Sequence, residues 1–244
     1  RGIELYLEEV NRSGGIGGNE VVVDRFDDRS DPKVAAQVAE TIAADGRYLA
    51  VIGHGRSACS VSAGRVYADK GVPALTFSST DDGLTRGNDW YFRTIYNDQF
   101  QGQFLANYIH KVFPGRPISM VVEEGPSGRG IAEVFERTAA ELDLKMGQRW
   151  DFDPRTGYAE ARLEGIAAQA LKAGGVLFLA VGAETGGRLV QLLRDRGHQG
   201  LIVGPDSFSS PAFRASFAGL RREEAQSGFY TNGLLVAVPL LFDT

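Results

Sequence analysis

Cysteine is almost absent from this 244-residue chain. Cys59 stands alone, which excludes an internal disulfide and any Cys-x-x-Cys redox or metal pair, so packing has to supply the stability. Histidine is also scarce: His54, His110 and His198 are scattered and, with one thiol, form no zinc-ligand set. No apolar run approaches the roughly 20 residues that span a bilayer, and the first residues carry no secretory-leader pattern. A basic surplus is lacking as well. Lys and Arg number 26 against 31 Asp and Glu, a net charge of -5 with a pI near 5.3, and such a surface does not hold nucleic acid or anionic lipid through bulk charge. A small neutral or zwitterionic partner stays open.

What is present is ordinary globular composition, 43% hydrophobic and 23% charged, with enough length for one large α/β domain or two of about 120 residues. The chain opens without Met on an amphipathic helix already under way over residues 1–10, which predicts a further segment upstream. That helix stops at Ser13-Gly14-Gly15, and residues 20–26 read as a β-branched strand. Asp31-Pro32 supplies an N-cap and a first-turn proline for a helix that carries Val34, Val38 and Ile42 and ends at Asp45-Gly46. The alternation then continues: strand 48–52, helix 58–70, strand 73–76, extended 90–94 and helix 98–112. It restarts with strand 118–122, helix 127–142, strand 147–152, helix 158–172, strand 176–180, helix 184–196 and strand 201–203. Strands alternating with long helices indicate βαβ units and parallel sheets. Pro114-Gly115-Arg116-Pro117 marks the boundary between two lobes, because neither a helix nor a sheet interior runs through it.

Several motifs invite chemistry and then fail a test. Gly55-Arg56-Ser57-Ala58-Cys59 follows a strand and precedes a helix, as a nucleophile elbow would, yet it lacks the final glycine and no base is identifiable. Ser13 to Gly18 is glycine-rich in the wrong order for a dinucleotide fingerprint, and Gly125-Pro126-Ser127-Gly128-Arg129-Gly130 fits neither that fingerprint nor a P-loop. In the second case Ser127 is expected to face a cleft. The stretch 24–31 holds four aspartates but also Arg25 and Arg29, which reads as a solvated loop and not a metal site. What remains is a set of polar residues at strand ends: Ser57, then Ser78-Ser79-Thr80, Asp98 and Asp206. In open parallel sheets the ligand crevice lies beyond the carboxyl ends of the strands, and hydroxyls with two carboxylates there favour recognition over reaction.

At Asp27-Asp28-Arg29-Ser30-Asp31-Pro32-Lys33, Val51-Ile52-Gly53-His54 and Phe92-Arg93-Thr94, with Asp98, Gln101-Gly102, Asn11 to Ile16 and Gly204-Pro205-Asp206, the chain resembles type 1 periplasmic binding proteins. Within them it is most similar to the leucine/isoleucine/valine-binding receptors of ABC transporters. The resemblance covers essentially the whole chain. It implies two Rossmann-like, doubly wound α/β lobes with a ligand cleft between them. Residues 1–115 would form the first lobe, 116–237 the second, and 238–244 would begin the crossing back. Measured against that family, the first lobe is expected to lack its first strand and its C-terminal segments.

The resemblance also implies roles. Ser57 and the N–H groups of its turn, with the Thr80 N–H, would hold an amino acid's α-carboxylate. The Thr80 hydroxyl, the carbonyl at Ser78 and Asp206 would hold its α-ammonium, and Ser79 and Asp98 are expected among the ligand-binding residues, with capping of its own helix the alternative for Asp98. Family tyrosine and aromatic positions are small here, at Ser127 and Gly182. A roomier second-lobe side follows unless Arg56, Tyr96, Phe208 or Glu184 compensates, and Arg56 opens the site to an acidic or amide-bearing ligand. The implied function is an extracytoplasmic, periplasmic or extracellular receptor that is not an enzyme, uses no cofactor or metal, and presents its ligand to an ABC transporter permease. The alternative is the extracellular sensor domain of a signalling kinase or cyclase.

Overall fold

The computed structural model describes residues 2–156 and 159–238. The helix expected from residue 1 is α1 (Gly2–Arg12), which buries none of its residues. Helix α2 (Pro32–Asp45) begins as its sequence dictates: the Asp31 carboxylate accepts the N–H of Lys33 and Val34, Pro32 sits in the first turn, and Gly46 ends it at φ 69 in the left-handed region. Its buried stripe is Ala35, Ala39 and Ile42, with Val34 and Val38 only half-buried beside it. Helix α3 (Ser57–Lys70) packs on α2 and closes at Gly71. These helices cover a small parallel sheet of β1 (Val51–Ile52), β2 (Ala74–Thr76) and β3 (Tyr91–Arg93), in that spatial order. Its core is Cys59, Ala63, Tyr67, Ala74, Leu84 and Tyr91 with α2.

The expected strand over residues 20–26 does not form. Among the described residues β1 pairs only with β2, and the segment's one pair of backbone bonds goes to the Asn11 side chain, which gives and takes a hydrogen bond at Val21. Without a neighbouring strand to share its N–H and C=O groups, β-branched composition alone does not make a ladder. Val22 is accordingly 77% exposed.

Helix α4 (Asp98–Val112) comes next, then the turn at 114–117, where Gly115 has φ 74. A second sheet follows from β4 (Ile118–Glu123), β5 (Met146–Phe152), β6 (Val176–Ala180), β7 (Leu201–Gly204) and β8 (Leu234–Val236), ordered β5-β4-β6-β7-β8 and wholly parallel. The helices are α5 (Pro126–Glu141), α6 (Ala159–Ala173) and α7 (Ala183–Asp195), with short α8 (Pro211–Ala215) and α9 (Arg221–Ala225). Both sheet faces are covered. Ile118, Met120 and Val122 of β4 and Val176, Phe178 and Ala180 of β6 pack with α4 and α5, while Val121, Leu177 and Leu179 pack with α6 and α7. Near-continuous apolar strands follow from burial on two sides. Helix α4 precedes the proline-rich turn in sequence, yet Leu105, Ala106 and Ile109 join the core of the second sheet. The chain thus passes into the second layer at α4. The proposed starts and ends at residues 1, 158 and 239–244 lie outside the described residues.

Strand order reverses between β5 on one side of β4 and β6 on the other, the arrangement that opens a crevice at the strands' carboxyl ends.

Candidate functional site

A cleft of about 600 Å³ opens at those carboxyl ends and is lined from both sheets. Helix α3 starts at Ser57 with no side-chain cap from Arg56, so its first-turn N–H groups are not spent on a capping oxygen. Ser57 is 9% exposed, and its Oγ accepts the Thr80 N–H at 3.2 Å. The turn after β2 is knotted from beneath by Thr76. Its buried hydroxyl accepts the N–H of Ser78 (3.3 Å) and Ser79 (3.1 Å) and donates to the His54 carbonyl (3.2 Å). Ser78 Oγ donates to the Gly55 carbonyl at 3.0 Å, tying this turn to the start of α3.

Ser57, Ser78, Thr80, Ser127, Gly182 and Asp206 therefore meet around one cleft. Ser79 does not. Its hydroxyl is fully buried against Ser60 Oγ (2.6 Å) and the His54 carbonyl (3.2 Å), because the Thr76 knot turns it into the first core. Asp98 also lies behind the lining: its N–H donates to the Thr80 carbonyl at 2.8 Å, and it is 1% exposed. Burial pushes its carboxyl up to about 7; the Thr80 hydroxyl opposes this, and the carboxylates of Asp81, Asp206 and Asp82 add to it.

On the second sheet, Asp206 opens the short 3-10 turn after β7. Phe208 anchors that turn, its ring lying where a side chain on Gly186 or Gly204 would stand and stacking on Phe213 at 4.2 Å between centroids. Asp206 Oδ1 accepts from Gln101 Nε2 at 3.0 Å. Burial raises its carboxyl above the ordinary range, against the bonds from Gln101 and the Ser207 N–H. Ser127 stands in the first turn of α5, and Gly182 precedes α7; neither helix has a side-chain N-cap.

Three lining or supporting residues escaped the sequence reading as site members. Glu123 ends β4 and accepts the Gly182 N–H at 3.0 Å; it obeys the same strand-end rule as Asp206, but its strand was expected to stop at residue 122. Gln101, quoted above only as part of the family resemblance, is a helix-interior glutamine and Thr76 a strand residue, with no local pattern to mark either as a site member. Arg56, named only as a compensating group, extends across the cleft to Glu184 at 3.6 Å.

The alternatives of reaction chemistry find little support. Both ring nitrogens of His54 are engaged, by Asp28 at 2.7 Å and Tyr67 at 3.1 Å, so this imidazole is not poised as a base for Ser57. Burial, with the neighbouring Asp28 carboxylate, pushes the Cys59 thiol to about 11, far from a reactive thiolate at neutral pH. Among the described residues, no group of three or more His, Cys, Asp or Glu side chains is placed to hold a metal ion, and no helix is long and apolar enough to cross a membrane.

Residues 1–227 match a family model described as periplasmic binding protein. A Leu/Ile/Val-binding protein homolog of Brucella abortus is 30% identical over 221 residues, which cover 90% of this chain and 58% of that protein. A Pseudomonas aeruginosa protein described as binding leucine, isoleucine, valine, threonine and alanine is 26% identical over 254 residues, 99% of this chain and 61% of that one. A branched-chain amino acid transporter substrate-binding protein of Streptococcus pneumoniae, solved in complex with isoleucine, is 25% identical and matches with a TM-score of 0.78 over 88% of this chain and 60% of that chain. The chain spans about three fifths of the length of these relatives.

Proposed function

Since the chain belongs to the periplasmic binding protein family, we propose that it is the ligand-binding part of an extracytoplasmic receptor that captures a free amino acid and presents it to an ABC transporter permease. One observation carries this reading. The Ser57 hydroxyl and the uncapped first-turn N–H groups of α3 stand, beside Thr80, on the first-sheet side of a single cleft, and the Asp206 carboxylate stands on the second-sheet side. A zwitterion needs donors at one end and an acceptor of negative charge at the other, and charge-assisted bonds in a closed cleft are the strong ones. The Gln101 amide supports the ammonium end from behind the lining: its Nε2 holds the Asp206 carboxylate in place.

Closure of the two sheets on the ligand would give a permease a shape that only the loaded receptor has. Titration calorimetry against the proteinogenic amino acids tests the reading. The expected result is saturable one-to-one binding of at least one of them, and heat from none would overturn it.

A further inference from the structure

Glu123 is a cleft carboxylate with no cationic partner among the described residues. Its Oε2 accepts the Gly182 N–H at 3.0 Å, and among the described residues no Lys, Arg or His forms an ion pair with it. The other charges at this end of the cleft are already matched: Arg56 pairs with Glu184 at 3.6 Å, and Glu124 with Arg129. Gly182 borders both groups, at ordinary contact distance. A Cβ there would stand 3.6 Å from Glu123 Oε2 and 4.0 Å from the Arg56 guanidinium.

We infer that Glu123, flanked by the Arg56–Glu184 pair, forms the side-chain subsite, and that the amino acid captured here ends in an N–H donor group, a guanidinium, ammonium or carboxamide, and not in a branched aliphatic chain. The inference rests on the amino-acid reading above and narrows it. An aliphatic side chain closed over Glu123 would strip water from a carboxylate and return no hydrogen bond, the costly case for a buried charged group. An acidic side chain would face Glu123 and Glu184 together and would have to draw Arg56 away from the latter. An N–H donor satisfies Glu123 without disturbing that pair. Large apolar side chains are also few along the wall, where Phe77, Ile95 and Ile131 stand among serines, small residues and carboxylates.

Calorimetry with arginine, lysine, glutamine, leucine and glutamate, on the natural protein and on Glu123→Gln, tests this. The expected result is that arginine, lysine or glutamine binds at least tenfold more tightly than leucine and glutamate. Glu123→Gln separates the donor types: it weakens a cationic ligand by tenfold or more, changes glutamine by less than threefold, and leaves leucine within threefold. Leucine or glutamate as the tightest ligand, or a preferred cation insensitive to Glu123→Gln, would overturn the subsite while leaving the receptor reading intact. Absence of binding by all five, together with every other amino acid, would instead remove the receptor reading on which it rests.

Discussion

Gln101 Nε2 donates to Asp206 Oδ1 at 3.0 Å, joining residues 105 positions apart in the chain. The bond links α4 to the turn beyond β7 and holds the carboxylate in one rotamer at the cleft. Ordered beforehand, the acid loses little further freedom when a ligand arrives, which favours affinity.

Asp206→Asn keeps the shape and removes the charge. Amino-acid binding is expected to weaken by about 1.5–3 kcal/mol, the scale of a hydrogen bond to a charged group, with little change in thermal midpoint. Calorimetry on the variant reads this directly, and an unchanged affinity takes Asp206 out of the site.

Thr76→Val is nearly isosteric but deletes a hydroxyl that serves two N–H groups and one carbonyl in a fully buried position. The His54 carbonyl keeps its bond from Ser79, but leaving the two N–H groups unsatisfied costs about 1–3 kcal/mol each, so urea unfolding should show a loss of at least about 2 kcal/mol. Ligand affinity should fall as well, because the Ser78 to Thr80 turn loses its anchor. Equal stability of variant and natural protein would mean that the knot contributes nothing.

Asp98 ties stability to pH. Burial raises its folded-state carboxyl to about 7, so the native protein holds this proton where the unfolded chain has released it. Its contribution to stability is therefore largest in acid, declines as pH rises from about 4 to about 7, and stays low above that. Asp98→Asn removes the slope. Differential scanning calorimetry should find the variant's thermal midpoint raised relative to the natural protein far more at pH 8 than at pH 5; an equal change at both would show that Asp98 is not the titrating group.

Phe208→Ala probes the scaffold beneath Asp206. The ring is 3% exposed and packed against Gly186, Gly204 and Phe213, and its removal is expected to cost about 3–5 kcal/mol. Denaturant titration measures the loss, and a cost under about 1 kcal/mol would mean that the site collapses without a cavity.

The alternation of strands and helices, the Asp31 cap, the left-handed stops at Gly46 and Gly71 and the apolar runs of β4 and β6 are local properties, and the sequence by itself determined them. It also determined that polar side chains follow the strands, and with them the family. Tertiary structure decided the rest. Residues 20–26 have strand composition but no strand beside them, and a ladder needs two partners. Helix α4 stands before the proline-rich turn, yet its apolar stripe finds its complement in the second core. Ser78, Ser79 and Thr80 are three adjacent residues with similar side chains. Only the buried Thr76 hydroxyl beneath their turn sends Ser79 into the core and leaves its neighbours on the cleft, a direction set by hydrogen bonds to distant backbone that no local pattern encodes.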